Sequence, residues 1–176
     1  MYELPEKKIA FIAHPRTASS ATGHALLEMG FIQRQSHHQF NPKWDLNGWF
    51  VACTVRNPLD VMASWYHNRP REEKCFNEWL PTFIEGCHYL QGERMFFGRP
   101  YCNHILRFEN LQRDFDTWLE IVGLPPKEIP RRNVSEDKKG KPFMTYYNLK
   151  LARMVIERFK LDFAENDYPI PALKGI

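Results

Sequence analysis

With 176 residues, 43% of them hydrophobic and 14% aromatic, the chain can bury a sizeable core as one domain and is too apolar for a disordered tail. A net charge of +3, from 24 basic and 21 acidic residues, is too slight to mark a nucleic-acid-coating surface, yet it suits an anionic ligand. No apolar run nears the ~20 residues of a membrane span, and no signal-peptide core stands at the N-terminus.

Residues 8–13 are apolar throughout, which predicts a strand covered on both faces. A polar loop follows, His14-Pro15-Arg16-Thr17-Ala18-Ser19-Ser20. A helix then starts near Ser19 or Ser20, both good caps, and ends at Gly30. Phe31-Ile32-Gln33 has the look of a short strand, and residues 34–48 read as a loop. Residues 49–55 make a second buried strand, which ends at Arg56-Asn57-Pro58. Proline just inside a helix start is favourable, so a helix runs on through Tyr66. Residues 75–90 form one helix or two, because Pro81 interrupts the pattern. The stretch 92–103 is irregular, and 104–108 is a third buried strand. An amphipathic helix over 111–122 carries Leu111, Phe115, Trp118, Leu119 and Val122 on one side. Residues 127–142 are polar and basic, and 146–159 form the last long helix. Strands alternating with helices predict a single α/β domain with a mostly parallel sheet. Cys53, Cys75, Cys87 and Cys102 show neither a C-x-x-C pair nor metal-ligand spacing. The expectation is a cytoplasmic protein with four free thiols and no metal.

Two strands deliver an arginine, Arg16 and Arg56, to the mouth of a helix. Ligands of open α/β sheets bind at strand carboxyl ends. There the free N–H groups and dipole of a helix start favour an anion, and a guanidinium grips phosphate or sulfate with two parallel donors. The pattern therefore predicts a ligand with two anionic groups. The G-x-x-x-x-G-K-[ST] loop is absent, so a standard P-loop does not fit.

Three blocks resemble the sulfotransferases that use 3′-phosphoadenosine 5′-phosphosulfate (PAPS). His14-Pro15-Arg16-Thr17-Ala18-Ser19-Ser20 is similar to the family's 5′-phosphosulfate loop, P-[KR]-S-G-T-T. Val55-Arg56-Asn57-Pro58-Leu59-Asp60-Val61-Met62-Ala63-Ser64-Trp65-Tyr66 is similar to its 3′-phosphate motif, R-N-P-x-D-x-x-x-S-x-Y. Leu106-Arg107-Phe108-Glu109-Asn110-Leu111 is similar to its L-R-Y-E-D-L block. The resemblance implies a P-loop-NTPase-like three-layer fold and transfer of a sulfuryl group from PAPS to a hydroxyl or amine. It implies that Arg16, Thr17, Ala18, Ser19 and Ser20 hold the 5′-phosphosulfate, and that Arg56 and Ser64 hold the 3′-phosphate. Lys138-Lys139-Gly140-Lys141 resembles the basic-glycine segment that closes over that phosphate. The family's base is a histidine or glutamate. His37 and His38 lie between the two nucleotide blocks, with pKa values suited to taking a proton near neutrality, and His38 is preferred.

The chain departs from the family pattern at three positions. Arg16 replaces a lysine and acts as a fixed charge, since arginine does not give up its proton. Ala18 replaces a glycine and would resist a left-handed backbone. Ala21 stands where cytosolic members place an adenine-stacking tryptophan. Other readings stay open: a catalytically silent nucleotide-binding module, and a P-loop-like phosphotransferase. His14 either serves the site or fills the strand end. The acceptor class extends from small molecules to glycans, no nucleic-acid-binding motif is present, and a homodimer stays open.

Overall fold

The computed structural model describes residues 1–34, 44–68, 75–86, 95–96, 98–130 and 141–172. The three apolar runs become β2 (Ile9–Ile12), β4 (Phe50–Val55) and β5 (His104–Arg107). β4 pairs in parallel with both β2 and β5, with Ile12 opposite Cys53 and Val55 opposite Arg107. Two further strands extend the sheet on the other side: β1 (Tyr2–Leu4) pairs antiparallel with β2, and β3 (Ile32–Gln33) antiparallel with β1. The order is β3-β1-β2-β4-β5. The fold is thus α/β, but two of the four pairings are antiparallel, so the sheet is mixed rather than mostly parallel. The reversed strand is β1, which folds back onto β2 through a 3₁₀ turn at Pro5–Lys7, with Lys8 closing it in the left-handed region at φ 53°.

The chain divides into two compact units, Met1–Arg56 with Phe96–Val134, and Asn57–Met95 with Ser135–Ile176. The first holds the sheet. Helices α1 (Ser19–Glu28) and α4 (Leu111–Ile121) cover one of its faces, where Phe11, Ala13, Ala25, Leu26, Phe31, Leu106, Phe115, Trp118 and Leu119 form one buried cluster. Leu111 and Val122 pack against that cluster, so the predicted apolar side of α4 is its buried side. Glycine at position 23 of α1 has a packing reason, because a Cβ there would overlap the Tyr2 hydroxyl. Glu3 is buried in β1, and its carboxylate accepts from Arg34 Nε at 2.7 Å, which meets the requirement that a buried charge be paired.

The second unit is helical: α2 (Pro58–His67), α3 (Phe76–Gly86), α5 (Leu149–Arg158) and α6 (Lys160–Glu165). α3 is one helix with Pro81 inside it. The carbonyl that loses its partner belongs to Asn77, an exposed residue where water can replace the missing N–H. Phe76, Trp79 and Tyr147 are buried at its centre, with Phe76 edge-on to Tyr147 at a centroid distance of 5.0 Å. The Tyr147 hydroxyl donates to the Leu59 carbonyl at 2.7 Å. Asp162, fully buried, accepts from the Met95 N–H. Among the described residues, no helix is long and apolar enough to cross a membrane, and Cys53, Cys75 and Cys102 are free thiols; Cys87 lies outside the described residues.

Candidate anion site at the ends of strands β2 and β4

β2 stops at Ile12, and the chain turns through His14–Ala18 into α1. Two residues of this turn have left-handed backbones, Arg16 at φ 61° and Ala18 at φ 61°. Neither is glycine, so each holds a conformation that costs an L-residue ~1–2 kcal/mol. Ala18 is the N-cap of α1, and no side chain caps it. The expected caps Ser19 and Ser20 instead lie inside the first turn, Ser19 buried and Ser20 exposed. Ala18 thereby holds a left-handed backbone that glycine would adopt without that cost.

Such strain persists only where neighbours over-determine it, and three polar ties do so. Thr17 is fully buried and its Oγ1 donates to the His14 carbonyl at 2.9 Å, so this hydroxyl shapes the loop from within. Arg56, one residue past β4 and 6% exposed, donates from Nη1 to the Arg16 carbonyl at 2.8 Å. His14 is 0% exposed. Its Nε2 accepts from the Gly98 N–H at 3.0 Å, so the proton sits on Nδ1, which donates to the Thr54 carbonyl at 2.9 Å.

The Arg56 guanidinium also lies over the Phe108 ring, with Cζ 3.9 Å from the centroid. A cation on an aromatic face keeps an edge for other acceptors while its flat side is held. Phe108 stands in the third resemblance block, yet it is not among the residues singled out there. Its signal is an aromatic directly after a strand that runs parallel to the one before Arg56; that strand, predicted to be buried, is buried only at Leu106. Arg56 thus meets the backbone of a second cationic residue, Arg16. The Arg16 pKa is lowered by burial first and by the Arg56 charge second.

The remaining site candidates fall as follows. Ser64, 7% exposed, is on α2 in the second unit, and Asn57 Oδ1 caps that helix from the Leu59 N–H at 3.0 Å. Lys141 is exposed in the second unit. His37, His38, Lys138, Lys139 and Gly140 lie outside the described residues. The structure therefore brings together Arg16, Thr17, Ala18, Ser19 and Arg56, and adds His14 and Phe108. Comparison with family models, with curated proteins and with solved structures gave no match.

Proposed function

We propose that this protein is a PAPS-dependent sulfotransferase with a P-loop-NTPase-like three-layer fold. The observation that carries the proposal is the Arg16–Arg56 pair. The Arg56 guanidinium donates to the Arg16 backbone carbonyl at 2.8 Å, so two cationic residues meet in one locality. One belongs to a strained loop at a helix start, the other to a strand end. Like charges held together cost free energy that a multivalent anion returns on binding. A nucleotide with a phosphate at each of two ribose positions has that charge distribution, and the order of the two sequence blocks matches it.

In this assignment the α1 N–H groups, Ser19 and Ser20 hold the 5′-phosphosulfate, and Arg56 holds the 3′-phosphate. The acceptor oxygen attacks sulfur in line with the bridging oxygen of the phosphate. The new S–O bond forms as the old one breaks, and the acceptor's proton passes to His37 or His38. Arg16 meets the charge that grows on the departing 5′-phosphate, and being permanently protonated it acts as an electrostatic clamp rather than an acid.

The test has two parts. 3′,5′-Adenosine bisphosphate should raise the melting temperature of the folded protein. Sulfur-labelled PAPS should then transfer label to at least one member of a panel of alcohols, phenols, amines and glycans. No stabilisation at millimolar nucleotide sinks the proposal, and stronger stabilisation by ATP with magnesium would favour a phosphotransferase instead. Stabilisation without transfer to any acceptor would indicate a silent nucleotide-binding module.

A further inference from the structure

We propose that His14 is a positioning residue: its neutral Nδ1–H imidazole ties the loop that carries Arg16 to the strand end that carries Arg56. This inference rests on the anion-site reading above and deepens it. Histidine lies at the junction of three segments. Its own backbone leads out of β2, its Nδ1 donates to Thr54, two residues before Arg56, and its Nε2 accepts from Gly98, in the segment that leads into β5. Its carbonyl receives the Thr17 hydroxyl. Two of its bonds lie in a chain of three: Thr17 to His14, His14 to Thr54, and, two residues on, Arg56 back to Arg16. The ring closes on itself, so displacing any member shifts the loop backbone that carries Arg16 and the strand end that carries Arg56.

The surroundings are shaped for an imidazole. The Phe96 ring packs at a tilt against it, with centroids 5.3 Å apart. Position 98 must be glycine, since a Cβ there would lie 2.5 Å from Ile12 Cγ2 and 3.0 Å from His14 Nε2. The backbone N–H can approach Nε2 only because that side chain is missing. Both ring nitrogens are satisfied by backbone groups, one as donor and one as acceptor, which is a demand that only the neutral Nδ1–H tautomer meets. His14 is consequently excluded as the base that takes the acceptor's proton, because its Nε2 lone pair is already used.

The tie can be tested with three variants. His14→Phe fills the space but removes both bonds. His14→Asn places an amide donor near Nδ1 and keeps the bond to Thr54. His14→Gln places an amide acceptor near Nε2 and keeps the bond to Gly98. Two readouts apply to each. The first needs no ligand: the ¹³C shifts of Arg16 and Ala18 report whether their left-handed backbones survive. The second is affinity for 3′,5′-adenosine bisphosphate. In His14→Phe, with far-UV circular dichroism unchanged, both shifts should move toward values of ordinary loop alanine and arginine, and affinity should fall by about tenfold, the scale of one lost preorganising contact. His14→Asn should restore most of both, and His14→Gln little of either, since only the Thr54 bond acts on the strand end of Arg56. Unchanged shifts in a folded His14→Phe, or rescue by Gln and not by Asn, would overturn the inference. If His14→Phe does not fold, the Asn and Gln pair still decides it. Wild-type protein that ignores the nucleotide would count against the anion-site reading alone, and the ligand-free shifts would still judge His14.

Discussion

The Arg56 guanidinium donates from Nη1 to the carbonyl oxygen of Arg16 at 2.8 Å. One strand-end arginine thereby holds the backbone of the other, and holds it at a residue in the left-handed region. Arg56 shapes the loop, and under the proposed function it has a second, separable task, binding an anion. A charge-assisted hydrogen bond is worth ~1.5–3 kcal/mol, so Arg56→Ala should weaken 3′,5′-adenosine bisphosphate binding by at least about tenfold. It should also lower the melting temperature of the ligand-free protein, because the Arg16 carbonyl loses its donor. Arg56→Lys keeps the charge but not the fork, and should recover stability only in part. Calorimetric titration beside a ligand-free melt checks both. An Arg56→Ala protein that binds the nucleotide as the wild type does would remove Arg56 from the site.

Arg16 has a different profile. Its backbone conformation, rather than its side chain, carries the loop, and in the proposed reaction its side chain would meet the charge that grows during transfer. Arg16→Ala should therefore reduce kcat by more than it reduces nucleotide affinity, the signature of an interaction that strengthens in the transition state. Steady-state kinetics with a fixed acceptor, set beside direct nucleotide titration, separates the two. Equal losses in both would assign Arg16 to ground-state binding.

The parts of this arrangement visible in the sequence are those written as hydrophobic pattern. β2 is an unbroken apolar run, β4 one interrupted by Thr54 and β5 an apolar pair between His104 and Arg107, and each appears within two residues of its predicted bounds. α2 announces itself by Asn57-Pro58 and α4 by its apolar stripe. β1 escapes because three residues with a central glutamate carry no period, and Glu3 can be buried only because Arg34, thirty-one positions away, supplies its partner. The reversed direction of β1, and with it the mixed sheet, was hidden for the same reason. The site divides likewise. Arg16 and Arg56 could be read from their places after strands, but the caps could not. Ser19 and Ser20 have cap chemistry, yet Ala18 is the cap residue, because its backbone sign is imposed by ties from Arg56, Thr17 and His14 rather than by its own preference. His14 was ambiguous since its partners are backbone groups 40 and 84 residues away, which leave no mark in composition.

His104 opens β5 and is partly buried, with its ring tilted against Phe50 at 6.3 Å. Burial lowers its pKa below the usual 6.5, and the nearby Asp114 carboxylate only partly opposes this. The unfolded chain therefore binds the proton more readily. Above about pH 6.5 the residue is neutral in both states and contributes nothing; as pH falls through that value stability declines, and the decline levels off below the folded-state pKa. His104→Phe should flatten this part of the stability profile in urea titrations from pH 7.5 to 5, a window chosen about the unperturbed value. A steeper profile in the variant would mean that Asp114 outweighs burial.

Tyr147 is buried and its hydroxyl donates to the Leu59 carbonyl in the first turn of α2. Burial raises its pKa well above 10, and the Asp60 carboxylate adds to this. Tyr147→Phe preserves the ring packing against Phe76 and removes one buried hydrogen bond, a loss of ~1 kcal/mol. In the wild type, the unfolded chain loses the phenolic proton first, so stability should fall as pH rises past about 10. The variant should begin less stable and lose less over that alkaline range. Chemical denaturation at neutral and alkaline pH checks both halves, and a variant as stable as the wild type at neutral pH would show that the Leu59 bond contributes nothing net.

Ala18 offers the sharpest test of the loop. Its φ of 61° and ψ of 23° are those of a left-handed residue at the N-cap of α1. That region costs an alanine ~1–2 kcal/mol, while glycine's greater freedom in the unfolded chain takes back ~0.5–1 kcal/mol. Ala18→Gly should therefore stabilise the protein by a net ~0.5–1 kcal/mol, in contrast with the usual loss on introducing glycine into a helix interior. Ala18→Val should go the other way and by more, since a β-branched side chain tolerates positive φ least. Neither side chain is needed for the bond from Arg56 to Arg16, so nucleotide affinity in Ala18→Gly should stay within about twofold of wild type, less than 0.5 kcal/mol on the tenfold-per-1.4 kcal/mol scale. Urea midpoints for the pair, read beside one titration, give the answer. Destabilisation by glycine would place Ala18 outside the left-handed region, and the strained loop with its three ties would have to be redrawn.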